Sequence, residues 1–320
     1  MSRGIFMLRK KFFRRYNKKK VVKMKGHRRF ILTLIAFLTL ILFFGCEPRV
    51  VPPPPTAKPA KVALVLGAGA ARGFAHVGVL KVLSAHQIPI HMIVGTSAGS
   101  MVGALYAYGY SPYQLQSIAF SVERDDVFDL VIPDNGFIKG ERLQNYVNKM
   151  VKDTPLERLK IPFYAIATNI RTGEEVGFAT GNTGMAVRAS CSIPGVFQPV
   201  KISGQTYVDG GVVSPVAVEF ARRHGADVII AVDISSGITN TVPRGTIETI
   251  LQSIDIMHTK ISENQLKLAH VVIKPKVGYI SSSDLSKRHE AILEGEKAAY
   301  ESLPKIHQIL APLREAGRLP

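Results

Sequence analysis

The chain has 320 residues, 46% of them hydrophobic and 20% charged, which fits one large globular domain or two small ones. Its formal net charge of +17 invites a nucleic-acid reading until the charge is located, because residues 1–45 hold 13 Lys and Arg and no Asp or Glu. The remainder carries 28 basic against 24 acidic residues, so the body is only mildly basic and the electrostatic case for a nucleic-acid partner falls away.

The basic block runs into a mostly apolar stretch from Phe30 to Phe44 that ends at Gly45-Cys46-Glu47-Pro48. A positive segment, a short apolar run and a small residue before the break make a secretory signal. The run is shorter than the ~20 residues a spanning helix needs. Cys46 after Gly45 resembles the cleavage site of a bacterial lipoprotein, in which the cysteine carries the lipid; Phe43 and Phe44 depart from the Leu and small residue usual there. The alternative is an uncleaved anchor, which leaves the body on the same side of the membrane. Residues 1–45 are thus expected to be a signal or anchor, starting at Met1 or at Met24, with the protein lipid-anchored in the bacterial envelope. Glu47 in place of Asp tilts the expectation toward the outer membrane. Cys191 is the only other cysteine, so a lipidated Cys46 leaves no pair for a structural disulfide.

Residues 46–60 form a Pro-rich linker, with Pro52 to Pro55 consecutive, a composition that favours extended polyproline geometry. One α/β domain is expected over 61–312. Apolar runs predict strands at Val62–Leu66 and Ile90–Val94, each followed by a helix, at Phe74–Ala85 and Ala98–Tyr108. That alternation implies a mainly parallel sheet sandwiched by helices. Residues 111–160 break the rhythm and read as an insertion or cap, with helical periodicity around Leu143 to Val151. Strand character returns at Phe163–Ala167, Val200–Ile202, Val208, Val228–Val232 and Val271–Ile273. Helices are expected near Met185–Cys191, Val216–His224 and Ile247–Leu268, then over Ser286–Leu303 and Lys305–Leu310.

Two glycine-rich turns carry the chemistry. Gly95-Thr96-Ser97-Ala98-Gly99 lies between a predicted strand and a predicted helix, the context in which GxSxG makes a nucleophile elbow. The tight turn lifts the Ser97 hydroxyl off the sheet edge, and the helix start behind it offers N–H groups to a developing oxyanion. The bland alternative is a Gly-rich turn with a capping serine. The second turn, Gly67-Ala68-Gly69-Ala70-Ala71-Arg72-Gly73, follows the first strand and suits an anion. A dinucleotide site there wants glycine at position 72 and an acid about twenty residues on, but 72 is Arg and no Asp or Glu occurs between Arg49 and Val122. A P-loop lacks its Gly-Lys-Ser/Thr. Half of an oxyanion hole beside Ser97 remains, to which Arg72 adds charge or in which it merely binds a helix end.

For a base, none of the nine histidines sits in a sharp loop motif, and His76 alone follows the glycine loop closely. Asp209, in Tyr207-Val208-Asp209-Gly210-Gly211, lies at a strand end before two glycines. Asp233 after Val228–Val232 is a rival strand-end acid, and the pattern alone leaves both open.

The glycine loop with Arg72, the Gly95–Gly99 elbow and the Asp209-Gly210-Gly211 turn resemble, in order and rough spacing, the bacterial branch of the patatin-like phospholipases. The block Ala189-Ser190-Cys191-Ser192-Ile193-Pro194-Gly195-Val196-Phe197 is similar to the family's block between serine and aspartate. Ala68 and Ala70 depart from a loop that is often richer in glycine. The resemblance covers residues 61 to about 300 and implies a serine-aspartate dyad, Ser97 and Asp209, without histidine. It further implies hydrolysis of acyl esters of phospholipids or lysophospholipids through an acyl-enzyme, with amides of Gly69, Ala70 and Ala98 holding the oxyanion. A carboxylate of ordinary pKa near 4 is a weak base toward serine, so the site is expected to work by proximity and electrostatics. No His, Cys or carboxylate cluster has ligand spacing, so neither metal nor cofactor is expected. Phe120, Val127, Phe128 and Ile132 are candidates for an acyl groove or plain core. The rivals are a general esterase or thioesterase on the same dyad and a non-catalytic lipid- or partner-binding lipoprotein of the envelope.

Overall fold

The computed structural model describes residues 28–39, 58–132, 135–237 and 242–320. Cys46, most of the Pro-rich linker and the signal segment apart from residues 28–39 lie outside the described residues. The chain divides into two compact units, Met1–Thr56 and Ala57–Pro320. In the first, residues 28–39 form helix α1 with exposed apolar side chains such as Phe30 and Leu34. Among the described residues no helix is long and apolar enough to cross a membrane.

The second unit runs β1 (Val62–Leu66), α2 (Ala75–Ala85), β2 (Met92–Thr96), α3 (Ala98–Tyr108), α4 (Pro112–Ser121), α5 (Arg124–Val127), α6 (Glu141–Met150), β3 (Phe163–Asn169), β4 (Glu175–Phe178), α7 (Thr183–Ser190), β5 (Val200–Ile202), β6 (Gln205–Asp209), α8 (Val218–Arg223), β7 (Val228–Val232), α9 (Thr246–Gln265), β8 (Val271–Ile273) and α10 (Arg288–Glu315). The sheet order is β5-β6-β3-β2-β1-β7-β8, with β4 beside β3. The five strands from β3 to β8 in that order pair in parallel, whereas β4 and β6 are antiparallel to β3.

Every residue of β1, β2 and β7 is buried, which is why these strands read as continuous apolar runs. Their side chains alternate between two cores. Leu64, Leu66, Ile93 and Ile230 face α2, α3 and α10; Ala63, Val65, Val94 and Ile229 face α8. The α2–α10 pair packs backbone to backbone, since a methyl group on Gly78 would strike the Ile292 carbonyl and one on Gly295 the Ala75 carbonyl.

Three sequence expectations change. The second strand is Met92–Thr96, two residues later than the apolar run suggested, because its register on β1 pairs Ala63 with Met92 and Leu66 with Gly95. The two C-terminal helices are one, α10, with Pro304 inside it. Pro304 removes a bond to the Tyr300 carbonyl, but both residues are exposed while Leu303, Ile306 and Leu310 keep the apolar stripe in the core. The ordered unit also continues past residue 312, where Leu319 is buried and Arg318 pairs with Asp227 at 2.9 Å. The 111–160 region holds α4, α5 and α6, the first opened by a capping box of Ser111 and Gln114, a signal legible in the sequence.

Candidate active site

β2 ends at Thr96 and α3 begins at Ala98, so the chain turns from strand to helix across one residue, Ser97. Its φ of 54° and ψ of −123° lie in a region that L-residues rarely occupy, the strain an elbow demands. Both flanking glycines are forced by close approach: a methyl group on Gly95 would fall 2.6 Å from the Gly99 carbonyl oxygen, and one on Gly99 would strike the Leu66 carbonyl. Ser97 is 4% exposed and lines a cavity.

Asp209 reaches Ser97 through the sheet. On β3, Ala165 pairs with Gly95 of β2 and with Phe178 of β4, so β2 and β4 take opposite edges. Ala167 pairs with Val176 of β4 and with Asp209, so β6 continues along the edge that β2 vacates. β2 and β6 run toward each other and meet, Thr96 opposite Ile166 and Asp209 opposite Ala167. The end of the first is the elbow and the end of the second is the acid.

Asp209 is 2% exposed, its Oδ1 accepts the Gly211 N–H at 2.7 Å, and its Oδ2 has no hydrogen-bond partner. Burial pushes its pKa up to about 7, against the opposing pull of the Ser97 hydroxyl and the Gly211 amide. The expected ordinary value near 4 is corrected: burial makes this carboxylate a stronger base than an exposed one. Gly210 abuts the Ile166 carbonyl, and Gly211 abuts the His258 ring, so neither position has room for a side chain.

The glycine loop packs against the elbow, with Gly73 so close to Ala98 that a methyl group on it would lie 2.6 Å from the Ala98 Cβ. Its amides divide cleanly. Those of Gly67, Ala68, Ala71 and Arg72 donate to the carbonyls of Val232, Pro215, Ser282 and Gly69. Among the described residues the amides of Gly69, Ala70 and Ala98 donate to no protein acceptor, and Ala70 and Ala98 line the cavity with Ser97. Arg72 adds no charge to this group. Its guanidinium is buried and gripped by the Asp255 carboxylate, midway along α9, at 3.2 and 2.5 Å, so it binds a side chain of that helix rather than the helix end that the sequence offered as the alternative.

The rival bases are engaged elsewhere. Asp233 ends β7, which lies across β1 from β2, and it pairs with Lys274 at 2.9 Å and accepts from the Ser235 amide at 3.0 Å. His76 is buried, bonds the Gly67 carbonyl through Nε2 at 2.9 Å, and is held neutral by burial with a pKa of about 4. His258, which no sequence signal distinguished, is buried against Gly211, and burial lowers it to about 4 as well. Among the described residues no histidine is hydrogen-bonded to Ser97.

The cavity has a volume of about 250 Å³ and an almost wholly apolar wall. Of the four residues read as acyl groove or plain core, Val127 and Phe128 line it, whereas Phe120 and Ile132 do not and are 42% and 91% exposed. Met101, Val102 and Leu105 of α3, Leu115 and Ile118 of α4 and Phe197 are also in its wall; helical periodicity could mark the helical ones as buried, but not as facing a cavity. Cys191 joins the wall beside Ser97, its thiol pushed up to about 12 by burial and the Asp209 charge.

Residues 64–222 match the family model of the patatin-like phospholipases. The chain is 34% identical over 178 residues to an uncharacterized NTE family protein of Mycobacterium tuberculosis, a match covering 55% of this chain and 49% of that one. It is 36% identical over 186 residues to lysophospholipase nte1 of Aspergillus fumigatus, covering 56% of this chain and 12% of the relative. The chain therefore spans about half the length of the first relative and a small part of the second. Among solved structures it is similar to VipD from Legionella pneumophila, with 13% identity, a TM-score of 0.45, and coverage of 79% of this chain and 67% of that one. With its family-model match over the elbow, the glycine loop and the Asp209 turn, the chain belongs to the patatin-like phospholipase family.

Proposed function

We propose that the protein is a serine-dependent lipid acyl hydrolase of the phospholipase A or lysophospholipase type, with Ser97 as nucleophile and Asp209 as base. The observation that carries this reading is an elbow serine facing a buried carboxylate of raised pKa in the wall of an apolar cavity. Family membership and a relative named as a lysophospholipase support the substrate class. The sequence features of residues 1–46 support an anchor in the bacterial envelope, where such lipids are at hand.

The acyl chain enters the cavity and presents its ester carbonyl to Ser97. As Oγ bonds to the carbonyl carbon, its proton passes to Asp209, and the carbonyl oxygen takes the negative charge. The unengaged amides of Gly69, Ala70 and Ala98 receive that charge. Collapse of the intermediate breaks the ester bond, and Asp209 returns the proton to the departing alcohol. Water then attacks the acyl-enzyme, gives a proton to Asp209, and the acid passes it to Oγ as the fatty acid leaves. A base of pKa about 7 is half-ionised at neutral pH, close to the optimum for such transfers.

The test is hydrolysis of a fluorogenic phospholipid by the full chain, with Ser97→Ala and Asp209→Asn alongside, in calcium-free buffer. Turnover by the wild type alone is expected, with both variants down by at least ~10³-fold. Faster turnover of soluble short-chain esters than of phospholipid would shift the reading to a general esterase. Equal silence of three folded proteins would leave a lipid-binding protein.

A further inference from the structure

The block Ala189–Phe197 supplies no atom to the proposed chemistry, yet its first residues touch both ends of the dyad. We infer that Ser190 is a positioning residue whose hydroxyl stands in for the last rung of the β2–β3 ladder and so fixes the height of Ser97.

In that ladder the Ile93 N–H donates to the Pro162 carbonyl at 2.9 Å. With Thr96 opposite Ile166, stepping by two residues brings the Ser97 N–H to the Ile166 carbonyl as the next rung. That bond is not made, since the chain leaves the strand at Ser97, whose φ of 54° and ψ of −123° begin the turn into α3. The Ser190 hydroxyl fills the gap: its oxygen accepts the Ser97 N–H at 2.9 Å, and it donates its one proton to the Ile166 carbonyl at 2.5 Å. Ser190 is fully buried at the end of α7, where no water can substitute without a cavity opening. Two residues on, the Ser192 carbonyl accepts the Asp209 N–H at 2.8 Å. One helix end thus holds the nucleophile through a side chain and the base through the backbone. Loss of the hydroxyl leaves two buried backbone groups unpaired and frees the elbow to relax, and a displacement of about 1 Å at a nucleophile costs ~100-fold in rate.

The experiment measures labelling of Ser97 by a fluorophosphonate, in which Oγ bonds to phosphorus, fluoride leaves and the proton passes to Asp209. It rests on the reading of Ser97 as nucleophile. Ser190→Ala is expected to slow labelling ~100-fold, with Ser190→Cys between it and the wild type and binding of a non-reactive lysolipid unchanged. Thr183→Val is the comparator, because Thr183 is a buried hydroxyl of the same helix that donates to the Thr154 carbonyl at 2.7 Å, away from the elbow; its labelling stays near the wild-type rate. A folded Ser190→Ala that labels at wild-type rate, or a Thr183→Val slowed as much, would overturn the inference. Where Ser190→Ala does not fold, Ser190→Cys decides by the same comparison. Hydrogen exchange at the Ser97 amide, expected to be faster in the Ser190 variants, is independent of catalysis. If the wild type takes no fluorophosphonate the nucleophile reading falls, and unchanged exchange would remove the Ser190 bond as well.

Discussion

Replacing Asp209 by Asn should inactivate the protein and stabilise it, by an amount that depends on pH. In the folded protein burial lifts the Asp209 pKa to about 7, whereas in the unfolded chain it returns to the ordinary value near 4. The sign follows from proton binding: between these two values the folded state holds a proton that the unfolded state has lost, so stability falls as pH rises through that window. Below pH 4 there is no penalty; above pH 7 it reaches about 4 kcal/mol, at 1.36 kcal/mol per pH unit. Asn keeps the acceptor for the Gly211 N–H but places an amide nitrogen where Oδ2 had no partner, which returns about 1–2 kcal/mol of the gain. The net expectation at pH 8 is about 2–3 kcal/mol of added stability, a rise in Tm of roughly 5–10 °C. The gain should shrink by roughly 3 kcal/mol on going to pH 5, where wild-type Asp209 is already protonated when folded. His76 and His258, both depressed to about 4, cost each protein stability as pH falls below their ordinary value, and they cancel in the difference. Urea titrations of both proteins at pH 5 and pH 8 measure it. A difference that does not change with pH, or an Asn variant less stable at pH 8, would refute the argument that burial raises this carboxyl.

The same carboxylate sets the rate profile: kcat/KM for a soluble ester should rise with unit slope in pH to a plateau above about 7, and a profile flat down to pH 5 would remove Asp209 as the base. Asp255→Ala strips the partner from the buried Arg72 guanidinium and should cost about 3–5 kcal/mol in urea unfolding, because the charge left behind is uncompensated. Ala119→Phe projects a ring into the cavity from α4. Activity should then move from long-chain toward short-chain esters, with acetyl ester turnover held within roughly threefold; an unaltered chain-length profile would mean that the acyl chain lies elsewhere.

The sequence alone determined the layered α/β fold and marked Ser97, in its glycine-flanked turn, as the candidate nucleophile. β1 and β7 lie where continuous apolar runs put them, since a strand covered on both faces has no other way to be written. Gly95 and Gly99 around Ser97 were legible for the same reason, because only glycine fits where backbone meets backbone. The sequence did not decide between Asp209 and Asp233 without the family resemblance, as both are acids at strand ends. The sheet separates them in space: β6 takes the edge of β3 that β2 vacates and brings Asp209 to the elbow, whereas β7 lies beyond β1. Arg72 likewise carried two readings until α9 brought Asp255 to it from 183 residues away. The pKa of Asp209 and the role of Ser190 belong to the tertiary structure entirely, because burial and a borrowed ladder rung exist only once β3, the elbow and α7 are in contact.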